Sequence, residues 1–203
     1  MHTCIPKFPS HMIAAGSLRL AGRSVDPERQ LRQLLKHSAG VSDYGALAAY
    51  QRAVAANEKP WPVSRLLNEA DAGTLVFAPD TGWAYSNIGY LFVRQMIEQV
   101  CDCSLNDALQ RLVFTPLGVH GPRVALTRDD LKDVAMGEPA SYHPGWVYHG
   151  LAVGRLDHAA LLLDRILMSD LLSHALRSTM CAAHPLGGAI EGRPWQTTGY
   201  GLG

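Results

Sequence analysis

Tyr85 and Asn87 are the residues of this 203-residue chain whose types and spacing best suit chemistry. They lie in Phe77-Ala78-Pro79-Asp80-Thr81-Gly82-Trp83-Ala84-Tyr85-Ser86-Asn87-Ile88-Gly89-Tyr90, where a turn-forming Pro-Asp-Thr-Gly run leads into a long apolar-periodic segment. A phenol and an amide are thus delivered to the mouth of a helix. In an extended Tyr-Ser-Asn the first and third side chains project to the same side. A phenol can move a proton and an amide can orient a partner, so the pair suggests catalysis. Read locally, the same residues also make a plain helix start, with Asn87 as N-cap and Tyr85 packed.

Other chemistries find less in the sequence. The cysteines, Cys4, Cys101, Cys103 and Cys181, fit neither a disulfide framework nor a two-pair zinc site, and Cys101-Asp102-Cys103 reads as packed thiols near a helix end. The nine histidines are dispersed, and His143 and His149 lack helical ligand spacing, so no metal and no cofactor is expected. Eighteen basic residues balance eighteen acidic ones, which gives no field for a nucleic acid and favours a small-molecule or peptide substrate. No stretch reaches the roughly 18 apolar residues of a membrane span. Met1 to Ser10 carries Pro6 and Pro9 and no long apolar run, so no signal peptide is expected there and the compartment is not legible.

The elements that must position the pair read as helices. Met12 to Leu20 is a small-residue helix stopped by Gly22; Asp26-Pro27 caps and opens a second, with Leu31, Leu34 and Leu35 inward and His37 to Gly40 at its end. There His37 is expected to set a partly positive imidazole against the helix dipole. Ser42 or Asp43 is expected to cap a helix with Leu47, Tyr50 and Val54 on one side, and Trp61-Pro62 opens a short one holding Leu66 and Leu67. Ile88, Leu91, Phe92, Met96 and Val100 fall at steps of three and four, the strongest helical signal in the chain. Ser104 to Asp107 and Thr127 to Asp130 have capping-box spacing, and Pro116 and Gly118 end the helix that the first of them starts. Residues 137–156 read as a structured loop over a pocket or between subdomains. Asp157 then caps a helix to about Met168, and Leu171 to Met180 forms another. Strands are foreseen at Leu75-Val76-Phe77 and Trp146-Val147-Tyr148 alone.

Four ordered segments resemble the serine β-lactamase and penicillin-binding-protein superfamily, in its class C β-lactamase, esterase and D-alanyl-D-alanine carboxypeptidase branch. Leu34-Leu35-Lys36-His37-Ser38-Ala39-Gly40-Val41-Ser42-Asp43-Tyr44 is similar to that branch's LLxHTSGLxDY segment, and Phe77 to Tyr90 to its FxPGTxWxYSNxGY segment. Pro116-Leu117-Gly118 resembles its PLGM, and Gly199-Tyr200-Gly201-Leu202-Gly203 its GYGLGW.

The resemblance implies acyl transfer through a serine ester on a β-lactam, a D-amino-acid peptide or a small ester. It needs a Ser-x-x-Lys, a Tyr-x-Asn and a Lys-Thr-Gly or His-x-Gly on a strand. Tyr85 would be the proton-transfer residue, and Asn87 would orient the lysine and the substrate amide. A phenol ordinarily titrates near 10 and needs a neighbouring cation to act as a base at neutral pH. For the first element the chain offers Cys4-Ile5-Pro6-Lys7, a thiol where the family has serine, or Ser10, with Ile13 in the lysine position. The third would lie beyond Gly203. The expected fold is therefore mainly α as present, an incomplete β-lactamase/transpeptidase-like fold. That fold is an α/β domain with a central antiparallel sheet plus a helical subdomain, here without its terminal sheet strands. Residues 1–25 would be an altered or partial N-terminal segment and 26–203 the β-lactamase-related domain. The family is often periplasmic or secreted. The alternative is a truncated, catalytically inactive homologue or a binding remnant.

Overall fold

The computed structural model describes residues 27–135, 142–187, 191 and 198–200. Helices α1 (Pro27–Leu35), α2 (Ala48–Ala55), α3 (Val63–Glu69), α4 (Asn87–Cys101) and α5 (Leu105–Leu109) come first, and α5 runs on into a π-helical turn, Gln110–Phe114. Strand β1 (Arg123–Ala125), the 3₁₀ turns Arg128–Leu131 and Pro144–Trp146, and strand β2 (Leu151–Val153) follow. Helices α6 (Leu156–Met168) and α7 (His174–Cys181) and strands β3 (His184–Gly187) and β4 (Thr198–Tyr200) complete the described chain. It is helix-rich, with small antiparallel sheets: β1 pairs with β2 through Val124 opposite Ala152, and β3 with β4 through Pro185 opposite Gly199. Among the described residues the two pairs stay separate.

The core forms where the periodic faces of α1 and α4 meet. Leu34, Leu66 and Ile88 are essentially inaccessible, and Leu91, Phe92, Trp61, Trp146 and Tyr148 close around them. Full burial of each aliphatic side chain contributes about 1.5–3 kcal/mol. The foreseen apolar stripe of α4 is therefore the one buried. Gly89 faces α1, where a Cβ would meet Leu34 Cδ2 in ordinary contact at 3.6 Å.

Several expectations need correction. Neither Ser42 nor Asp43 caps α2, which begins at Ala48 after Leu47 with no side-chain cap. Ser42 instead donates its hydroxyl to Ala70 O at 2.7 Å, and Asp43 is used elsewhere, as described below. Leu75-Val76-Phe77 is not a strand; the Val76 N–H donates to Gly40 O at 2.8 Å and ties two loops together. Trp146 ends a 3₁₀ turn rather than starting a strand, and of the strands that do form, β1, β2 and β4 have three residues and β3 four, too short to display a period of two. Helix α6 has Arg155 as its N-cap, while Asp157 sits in its first turn and receives two hydrogen bonds from the Arg155 guanidinium. Helix α7 starts at His174 behind Ser173, whose hydroxyl accepts from Leu176 N–H, and not at Leu171. The Thr127 to Asp130 capping box forms as foreseen, and Ser104 accepts from Asp107 N–H at 3.1 Å.

Residues 142–156 of the foreseen loop help line an open cavity of about 1310 Å³ together with Arg123, Leu131 and His158. Tyr142 and Val147 face it from the loop, and Leu151 and Leu156 from β2 and the start of α6. Helices α6 and α7 bury no residue fully, and Leu156, Leu163, Met168 and Leu176 stay exposed. Cys101 and Cys103 are free, half-buried thiols at the end of α4, where Asp102 turns the chain at φ 49°. Cys4, Lys7, Ser10, the helix foreseen over Met12 to Leu20, the Asp26 cap and Gly201 to Gly203 lie outside the described residues.

Gly40 has φ +73°, and a Cβ there would fall 2.1 Å from Phe77 O. Gly40→Ala is expected to lose about 1–3 kcal/mol through the left-handed backbone alone, with the overlap adding to it. The midpoint of urea unfolding measures this; an unchanged midpoint would contradict it.

Candidate active site

Ser86, not Asn87, is the N-cap of α4. Its hydroxyl accepts the Gly89 N–H at 3.0 Å and donates to Ser42 O at 2.7 Å, and the residue is buried. Capping thus falls to the residue between the two candidates and leaves neither of their side chains engaged in it, Tyr85 being exposed and Asn87 partly so. Tyr85 is 50% exposed, and its hydroxyl donates to Asn87 Oδ1 at 3.2 Å. A phenol and an amide stand in contact at the open mouth of the helix.

Their backbone is held by the segment that follows α1. Ser86 N–H donates to His37 Nδ1 at 3.1 Å, and Asn87 N–H to Asp43 Oδ1 at 2.8 Å. The other oxygen of Asp43 accepts Gly45 N–H at 3.0 Å. Ala84 N–H donates to His37 O at 3.1 Å and Asp80 N–H to Ser38 O at 2.9 Å. The Asp80 carboxylate in turn accepts from Gln33 Nε2 at 2.7 Å and Ser38 Oγ at 3.1 Å. The His37 ring lies 4.5 Å from that of Tyr85 and 5.1 Å from that of Tyr90, with the Trp83 indole edge-on at 5.9 Å. Residues 37–45 and 76–90 therefore form one interlocked unit.

His37 corrects the sequence reading of a partly positive imidazole. Burial holds its pKa below the ordinary 6.5, although the Asp43 carboxylate pulls the other way. An Nδ1 that accepts an N–H is bare, so the neutral ring carries its proton on Nε2. His149 lies close by, its Nδ1 3.5 Å from the Tyr44 hydroxyl. Burial lowers its pKa too, with Asp43 opposing and Arg94 reinforcing the shift. Both rings are charged more easily in the unfolded chain. Their contribution to stability is complete above about pH 6.5 and is lost as the pH falls through their lower folded values. The urea midpoint is expected to drop between about pH 7.5 and about pH 5; a midpoint flat across that window would contradict the assignment.

The aromatic cluster behind the site anchors the 142–149 segment to α2 and to Trp61, just before α3. Tyr50 and Tyr148 donate their hydroxyls to Trp146 O at 3.1 Å and Trp61 O at 3.0 Å. Burial raises the Tyr44 and Tyr50 phenols and pushes Tyr148 up to about 12, so these groups are neutral at physiological pH.

The Beta-lactamase family model matches residues 19–203. The chain belongs to the beta-lactamase family. Penicillin-binding protein 4* of Bacillus subtilis is 35% identical over 97 residues, which are 46% of this chain and 21% of that protein. Lovastatin esterase of Penicillium rubens is 34% identical over 108 residues, 50% of this chain and 26% of that one. Among solved structures, a D-stereospecific amidohydrolase from a Streptomyces species superposes with a TM-score of 0.70 at 21% identity, covering 96% of this chain and 61% of its own. The chain thus spans less than two thirds of each of these relatives. The fold they share with it is the β-lactamase/transpeptidase-like one, here represented mostly by helices.

In this beta-lactamase-family chain the structure brings Tyr85 and Asn87 together, whereas Cys4, Lys7 and Ser10 fall outside the described residues. Sequence reasoning missed Asp43 as an acceptor for the motif and read His37 as a helix end. The available signal was the resemblance itself, which placed both residues in one segment and their partners in the other. Among the described residues, no group of three or more His, Cys, Asp or Glu could hold a metal ion. Nor does any described helix have the length and apolarity to cross a membrane.

Proposed function

We propose that this chain carries the tyrosine and asparagine part of a serine-hydrolase site, acting by acyl transfer on an amide or ester such as a β-lactam, a D-amino-acid peptide or a small ester. The observation that supports it most is the Tyr85 to Asn87 contact of 3.2 Å at an exposed helix mouth, with the cap function assigned to buried Ser86 between them. The family, and relatives named as a penicillin-binding protein, an esterase and a D-stereospecific amidohydrolase, support the same class.

In this reading a nucleophile, Ser10 or Cys4 paired with Lys7, attacks the carbonyl and forms an acyl-enzyme ester or thioester. Its proton passes by way of the Tyr85 hydroxyl to the leaving amine or alcohol as the scissile bond breaks. Water then enters, gives up a proton along the same route and releases the acid and the free nucleophile. Asn87 holds the phenol through its Oδ1, whose second lone pair can accept a lysine ammonium N–H, and offers its own amide N–H groups to a substrate carbonyl.

Purified protein incubated with nitrocefin, p-nitrophenyl acetate and a fluorescent penicillin tests this. Turnover together with a covalent adduct, mapped by mass spectrometry to Ser10 or Cys4, is the expected result. Absence of both turnover and label at any residue overturns it and favours a catalytically inactive homologue.

A further inference from the structure

His37 meets the Ala84-Tyr85-Ser86 segment through three different groups. Its carbonyl accepts Ala84 N–H at 3.1 Å, its Nδ1 accepts Ser86 N–H at 3.1 Å, and its ring face lies 4.5 Å from the Tyr85 ring. Asp43 takes the next peptide, accepting Asn87 N–H at 2.8 Å. Ser86 satisfies Gly89 N–H with its own hydroxyl, and His37 and Asp43 take the Ser86 and Asn87 N–H groups that the helix start leaves without intrahelical partners. The two side chains also define the direction in which the flanking phenol and amide emerge.

We propose that His37 and Asp43 are positioning residues for Tyr85 and Asn87, and that His37 acts as a neutral imidazole whose protonation releases the Ser86 peptide and loosens the pair. This rests on the reading that Tyr85 and Asn87 belong to the reaction, yet it can be measured without turnover.

The physical argument is one of donors and acceptors. A neutral ring with a bare Nδ1 accepts Ser86 N–H; an imidazolium is a donor at both nitrogens and cannot. Protonation would set two N–H groups facing one another in a buried site, so the peptide must move or find water. Among the described residues, the titratable groups recorded against the ring include the Asp43 carboxylate, which favours the charged form, and the Tyr85 and Tyr90 phenols beside it. Burial opposes the charge and outweighs Asp43. Asp43 works differently: its two oxygens bridge the Asn87 and Gly45 peptides, so the amide side chain of Asn87 is oriented from the backbone up. A side chain at Gly45 would crowd it, since a Cβ there falls 3.0 Å from Asp43 Oδ2 and 3.8 Å from Asn87 Nδ2.

The experiment measures amide hydrogen-exchange protection by NMR on the ¹⁵N-labelled full chain, at about pH 7.5 and about pH 5. Wild-type protection at Ser86 is expected to fall by about tenfold or more on acidification, while Leu91 and Phe92 in the middle of α4 keep theirs. His37→Asn, whose Oδ1 can take the place of Nδ1 and does not titrate, should retain protection at both pH values. His37→Phe keeps a ring but no acceptor and should lose it at both, and Asp43→Ala should lose it at Asn87. A histidine that merely fills space would make His37→Phe the mild variant and His37→Asn the damaging one. That order overturns the proposal, as does wild-type Ser86 protection that does not change with pH. If His37→Phe does not fold, the wild-type histidine ¹⁵N spectrum decides: Nδ1 bare at neutral pH supports the proposal, and Nδ1 protonated overturns it. Failure of acyl labelling would sink the hydrolase reading and leave these results standing, so the two failures are distinguishable.

Discussion

Trp146→Ala is expected to cost about 3–5 kcal/mol of unfolding free energy, the largest stability loss of any substitution considered for this chain. The residue is 1% exposed and sits at the end of the Pro144–Trp146 turn. Its indole packs edge-on against Tyr50 and Trp61 at 5.4 Å each and lies 6.4 Å from Tyr148. Its Nε1 donates to Glu58 O at 3.3 Å, and its carbonyl receives the Tyr50 hydroxyl. Truncation leaves a cavity ringed by aromatic side chains that hydrogen bonds hold in place, so collapse into the space is limited. The 142–149 segment would lose the packing of the indole and its bond to Glu58 O, while the backbone carbonyl would still accept the Tyr50 hydroxyl. Urea unfolding followed by far-UV circular dichroism measures the loss, and a cost below about 1 kcal/mol would contradict the packing described. Trp146→Phe, which keeps a ring in the cluster but loses the bond to Glu58 O, is expected to fall between the two.

Tyr85→Phe is expected to lower the rate of acylation by about 10²–10⁴-fold, the range for removal of a positioned proton-transfer group. The ring and its stacking on His37 survive the change, and only the bond to Asn87 Oδ1 is lost. Because the site is half exposed, stability should change by no more than about 0.5 kcal/mol. A large kinetic effect with a small thermodynamic one separates a chemical role from a packing one. Equal rates for Tyr85→Phe and wild type towards nitrocefin and p-nitrophenyl acetate would remove Tyr85 from the reaction.

The two variants mark different layers of the molecule. Trp146 belongs to the scaffold that holds the loop over α2 and α3, and Tyr85 to the surface that this scaffold and the His37 to Asp43 segment present. In a β-lactamase-family fold the motif segments thus divide the work. Phe77 to Tyr90 carries the polar pair, and Leu34 to Tyr44 supplies the acceptors that aim it.

By itself the sequence determined the features that depend on neighbours within a few residues. The stripe from Ile88 to Val100 specified α4, Pro27 opened α1, and Thr127 with Asp130 closed a capping box, because helical periodicity and caps are local. The ordered segments also pointed to the family, and drew attention to Tyr85 and Asn87, whose side chains the structure places in contact. Tertiary structure decided the rest. Asp43 carries the spacing of a cap for α2 but serves α4, across 44 residues, and His37 accepts an N–H from Ser86, 49 residues away. The strands β1 and β2 pair across a turn and loop from Arg123 to Val153 with too few residues to show alternation. Asn87 also looked like the cap by position. Ser86 takes that role because the chain enters the helix in an extended conformation, at φ −143° and ψ 111°, that turns its hydroxyl onto Gly89 N–H. That backbone geometry, held by acceptors distant in sequence, is what leaves the phenol and the amide facing outward together.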